Sequence, residues 1–161
     1  MKLFESNEIY LFAVRIEENG ETFYRHAAKM AKEKEPRALF TFLADEEVKH
    51  KKTFENMLAK MERRDVEESY PGEYLAYLQD YLDNKIVFSK SAKESEYPEV
   101  KDTVSAIEFA IQREINSVLY YHEVKRFVAL SQQDDLDMII EEERRHFSQL
   151  TEMKKKYGRK T

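Results

Sequence analysis

"LADEEVKH", residues 43–50, and "IIEEERRHFSQL", residues 139–150, decide the fold. Both carry enough charge to pass for solvated helix faces. Yet Leu43, Glu47, His50, Phe54, Met57 and Met61 follow at alternating steps of 4 and 3, and Leu136, Ile139, Glu143, His146, Leu150, Met153 and Tyr157 alternate in the same way. Such steps keep every position on one side of a helix. Each stripe is apolar except for one Glu-x-x-His. At 100° per residue the Glu and His stand about 60° apart, so both side chains can reach one point between helices.

The same rhythm extends to two further long helices. The first runs from about Ser6 to Glu33, with Ile9, Phe12, Ala13, Ile16, Phe23, Tyr24, Ala27 and Met30 on one face. Pro36 suits the first turn of the second, which runs to about Glu62. The third begins between Pro98 and Asp102 and reaches about Phe127, with Val104, Ile107, Ala110, Ile111, Val118 and Tyr121 inward. Ser131 is a candidate N-cap for the fourth, Asp134 and Asp135 suit its first turn, and it ends near Gly158. The connection at about 64–98 contains the short amphipathic piece "GEYLAYLQDYL" and is long enough to cross a bundle end to end. With Gly and Pro at 3 each in 161 residues, turns must be few. The expectation is an all-α four-helix bundle over residues 1–161, one domain, built of two helical hairpins and a long crossover.

Acids make up 32 of 161 residues, so a lone acid three places before a His is a common accident. Two on apolar stripes are less so, and the other two helices carry inward acids as well. "EENGETFY" starts at Glu17 and "EINSVLYY" at Glu114, sharing Glu-x-x-small-x-x-aromatic-Tyr. Glu18 is an alternative to Glu17, but Glu17 shares its face with Ala13, Gly20 and Tyr24. The offsets between halves are 114 − 17 = 97 and 143 − 47 = 96, the mark of a duplicated hairpin. His26 and His122 lie off these seams and read as surface or structural residues. Four core carboxylates cannot all be ionised without counter-charge, and no Lys or Arg is expected among them. Two divalent cations cancel four carboxylates, and two neutral imidazoles complete six ligands. Oxygen-rich ligation with one His per ion suits iron or manganese better than structural zinc.

At this point the chain resembles the ferritin-like di-iron carboxylate proteins, in which two helices each give a Glu and two each give Glu-x-x-His. The wording of "EENGETFYRHAA", "LADEEVKHKKTFENM" and "REINSVLYY" is most similar to rubrerythrin. The resemblance implies Glu17, Glu47, His50, Glu114, Glu143 and His146 as ligands of two irons, with manganese or zinc as substitutes. Glu47 and Glu143 would bridge. Glu46 would accept from His146 and Glu142 from His50, fixing each imidazole's tautomer. There are two departures. Rubrerythrins often carry another Glu where this chain has Ser117, so the site looks more symmetric. The Cys-x-x-Cys pairs of a rubredoxin domain are missing, because cysteine is absent.

The resemblance implies an oxidoreductase that reduces hydrogen peroxide or dioxygen, in defence against oxidative stress. Electrons would come from a separate donor such as a rubredoxin-like protein. Alternatives are an iron-oxidising ferritin-like protein, an oxygenase, or a helical protein whose metal does no redox turnover. Gly20 leaves room for oxidant beside the metals or for close helix packing; Ser117 raises the same question. Tyr24 and Tyr121, each seven residues past a ligand Glu, either hydrogen-bond the site or are core aromatics. A homodimer is expected. Net charge is −5 without a basic block, which argues against nucleic acid. No apolar run approaches the ~20 residues that span a bilayer. With no apolar run in "MKLFESNEIY", a cytoplasmic location is expected.

Overall fold

The computed structural model describes residues 6–61, 76–77, 97 and 99–158. Four long helices dominate: α1 (Ser6–Met30), α2 (Lys34–Ala59), α3 (Thr103–Val124) and α4 (Gln133–Tyr157). Two 3-10 turns, Lys125–Phe127 and Leu130–Gln132, join α3 to α4, and no strand occurs among the described residues. This is the all-α four-helix architecture that the periodicity implied. The connection expected at about 64–98, with its short helix, lies outside the described residues except for 76–77 and Tyr97. No described helix is long and apolar enough to cross a membrane.

Directions follow from which charges meet. Arg25 pairs with Asp45 and Glu18 with Lys51, so α1 and α2 are antiparallel. Lys125 pairs with Asp137 and Glu108 with Lys154, so α3 and α4 are antiparallel. Tyr24 meets Glu114 while Tyr121 meets Glu17, which makes α1 and α3 antiparallel too. Helices α2 and α3 therefore run the same way. A chain joining two parallel helices must return the full length of the bundle, hence the long crossover.

Local signals set the helix ends. Asp102 accepts from Ser105 N at 2.8 Å, while Ser105 Oγ accepts from Asp102 N at 3.0 Å, a capping box that starts α3. Arg37 donates twice to the Ala31 carbonyl just past the end of α1, at 3.2 and 2.8 Å. Ser131 is not the N-cap of α4; it lies in the second 3-10 turn and the helix begins at Gln133. The neighbouring Gln132 controls this corner. Its buried amide accepts from Tyr10 Oη at 2.7 Å and donates to the Met57 carbonyl at 2.9 Å. Those bonds to α1 and α2 hold the turn tight up to residue 132.

The apolar core falls into two clusters along the bundle. One contains Ile9, Ile16, Phe54, Tyr120, Leu136 and Ile140. The other contains Phe23, Phe40, Leu43, Ala106, Ile107 and Leu150. On every helix the positions between the clusters are the polar ones named above.

Candidate metal centre

All six expected ligands meet in the layer between the apolar clusters. Glu17, Glu47, His50, Glu114, Glu143 and His146 are each 3% exposed or less. Each helix contributes what its stripe promised: one Glu from α1, one from α3, and Glu-x-x-His from α2 and α4. The imidazoles of His50 and His146 face each other with ring centres 5.7 Å apart.

Around this layer, the outer atom of several groups is bonded. Tyr24 Oη donates to Glu114 Oε1 and Tyr121 Oη to Glu17 Oε1, so each tyrosine serves the carboxylate of the opposite half. His50 Nε2 donates to Glu142 Oε2 at 2.9 Å. That bond leaves Nδ1 aimed inward, 2.9 Å from Glu143 Oε1 and 3.5 Å from Glu17 Oε2. His146 Nδ1 also points inward, 3.5 Å from Glu143 Oε2 and 3.9 Å from Glu114 Oε2. Glu46 does not mirror Glu142: it accepts from Lys49 on its own helix.

The inner atoms fit a metal pair. Glu17 Oε2, Glu47 Oε1, His50 Nδ1, Glu114 Oε2, both oxygens of Glu143 and His146 Nδ1 are buried without a hydrogen-bond partner. Buried polar atoms are normally satisfied, so every one of the six residues aiming an unsatisfied donor atom into one layer needs a cause. Three groups of three have donor atoms within 4.8 Å of one another: the partly buried Glu46, His50, Glu142, and two wholly buried ones, Glu17, His50, Glu143 and Glu114, Glu143, His146. Glu143 belongs to both buried groups. The pairing of oxygen and imidazole nitrogen suits a divalent first-row metal.

One expectation fails. Arg113, 2% exposed, lies within this layer, although no cation was expected there. Its Nη2 donates to the Ile16 carbonyl at 3.0 Å and lies 3.4 Å from Glu47 Oε2. Its Nε and Nη1 are buried without a partner. A Cβ at Gly20 would overlap both the guanidinium and the Glu47 carboxylate. The space beside Gly20 holds this pair, and Ser117 is buried on α3. A signal for Arg113 did exist: shifted by 97, it answers to Ile16, an inward apolar position.

Without metal the layer is electrostatically crowded. Burial pushes the Glu47 carboxyl well above the usual range; Arg113 pulls it down, and Glu17, Glu143 and Glu114 push it further up. Burial and then the charge of Glu143 raise Glu114 in the same way. Burial would also raise Glu17, but the nearby positive charge of His50 and the hydrogen bond from Tyr121 outweigh it and the group is lowered. Burial opposes the charge of His50, yet Glu143 and Glu17 hold its pKa far above the ordinary value. Burial lowers His146. His26 is half-buried beside Tyr97 and His122 is exposed beside Arg144, both apart from the layer.

The sequence profile of rubrerythrin matches residues 8–154. A crystal structure from Thermotoga maritima, solved as that of a candidate ferritin-like diiron-carboxylate protein, aligns with a TM-score of 0.63 and 25% sequence identity. The match covers 96% of this chain and 97% of that one. No curated protein matches the sequence.

Proposed function

The chain belongs to the rubrerythrin family, and from that premise we propose a di-iron oxidoreductase that reduces hydrogen peroxide, or dioxygen. Its electrons come from a separate, rubredoxin-like donor protein. The observation that carries the reading is the inward set of unsatisfied donor atoms, at least one from each of six residues on four helices. Glu17, Glu47, His50, Glu114, Glu143 and His146 hold two iron ions, with manganese or zinc as substitutes. Two ferrous ions so held supply two electrons together, which with two protons convert one peroxide into two waters.

The chain's own residues prepare that chemistry. Tyr24 and Tyr121 occupy the outer oxygens of Glu114 and Glu17 and leave the inner oxygens for metal. Glu142 fixes His50 as the tautomer whose Nδ1 is the metal-facing atom. The side chain of Glu142 is 32% exposed, so the same bond links the buried imidazole to solvent and offers a path for protons. The apolar clusters on either side keep bulk water away and strengthen every charge interaction in the layer. Stopped-flow oxidation of the anaerobically iron-loaded protein tests this proposal. Faster oxidation by peroxide than by oxygen is expected; equal or slower oxidation by peroxide defeats the peroxidase reading.

A further inference from the structure

The two halves of the layer differ by one buried charge. At the offset of 97, Glu114 answers to Glu17, Ser117 to Gly20 and Tyr121 to Tyr24, but Arg113 answers to Ile16. The Arg113 side chain crosses from α3 to α1 and α2, bonds the Ile16 carbonyl at 3.0 Å and approaches Glu47 at 3.4 Å. Its guanidinium lies 5.5 Å from the ring centre of Tyr24, in space available because residue 20 has no side chain. A guanidinium keeps its proton inside proteins, so this cation is permanent. None of the three-residue donor groups includes Glu47, the carboxylate that Arg113 engages.

We infer that Arg113 sets Glu47 apart as the exchangeable carboxylate of the site: it holds Glu47 in the metal-free protein, and the second metal ion must take Glu47 from it. The inference rests on the metal-centre reading above. Four carboxylates and two divalent ions sum to zero, and Arg113 adds one positive charge. The first ion can use a donor group that Arg113 does not touch. The second meets a fixed cation and a carboxylate already engaged, so it binds more weakly. Arg113 is thus a positioning residue that makes a duplicated site unequal.

Calorimetric titration of the metal-free protein with zinc(II), which undergoes no redox change, reads this without turnover. The wild type should take two ions per chain in two resolved steps. Arg113→Gln should tighten the weaker step about tenfold, within the range that neighbours of metal ligands contribute. Arg113→Lys keeps the charge and should keep the steps apart. Arg113→Met, which removes the charge and keeps most of the side-chain length, should act like Arg113→Gln and gives the same reading if that variant does not fold. Two equal steps in the wild type overturn the inference without any variant. A two-ion isotherm unchanged by Arg113→Gln also overturns it and leaves the metal centre standing. No zinc uptake by the wild type defeats the metal centre and the inference together.

Discussion

Glu143 is the residue on which the two halves converge, with one oxygen 2.9 Å from His50 Nδ1 and the other 3.5 Å from His146 Nδ1. Glu143→Ala should therefore empty both positions, and elemental analysis after loading should find less than one metal per chain. Glu142→Ala removes only the partner of His50 Nε2. Metal affinity should fall roughly 10–100-fold in a competition titration, with the helical circular dichroism unchanged. Glu46→Ala should have a smaller effect, since Glu46 is engaged with Lys49. The six inward groups were legible because each interrupts an apolar stripe at helical spacing. The difference between Glu46 and Glu142 was not, because both precede a Glu of Glu-x-x-His and only the surrounding side chains separate them. Arg113 was missed for a related reason. A residue next to Glu114 stands about 100° round the helix from it and reads as solvated, unless a distant glycine opens room for it.

At the scale of the helix, Gly20 sits mid-α1, where glycine costs about 1 kcal/mol relative to alanine. Gly20→Ala should still destabilise the protein, because overpacking against a buried ion pair costs about 1–3 kcal/mol and nothing in that layer can retreat to solvent. Urea denaturation would measure the sign; a gain in stability would mean that the guanidinium moves freely. Asp102→Ala should cost about 1 kcal/mol through loss of the capping box while leaving metal content unchanged, because Asp102 lies more than ten residues before Glu114 on α3. The helices were legible from their 3.6-residue rhythm, and the start of α3 was placed between Pro98 and Asp102, next to its first residue Thr103. The start of α4 was not. Gln132 makes its bonds to Tyr10 and Met57, residues far away in sequence, and no local pattern records them.

Across the whole bundle, the charged layer couples metal to stability. In the metal-free protein Glu47, Glu114 and His50 have raised pKa values, against lowered ones for Glu17 and His146. A raised group contributes stability below its unfolded pKa and loses it as pH climbs toward its folded pKa. For the two glutamates that loss begins near pH 4.3 and for His50 near pH 6.5. The folded chain then holds more protons than the unfolded one, so stability falls with rising pH. Calorimetry of chelated protein should give a higher melting temperature at pH 5 than at pH 8. Metal needs deprotonated ligands, so the loaded protein should show the opposite order. The topology was legible because parallel α2 and α3 demand a long return, which the length of the connection supplied. In the function proposed above, this layer is built around two cations. Anaerobic loading with ferrous iron, removal of excess and counting of iron per chain tests it most directly. Two irons per chain and near-ultraviolet charge-transfer absorption after oxidation are expected; fewer than one iron per chain would contradict a layer built around two cations.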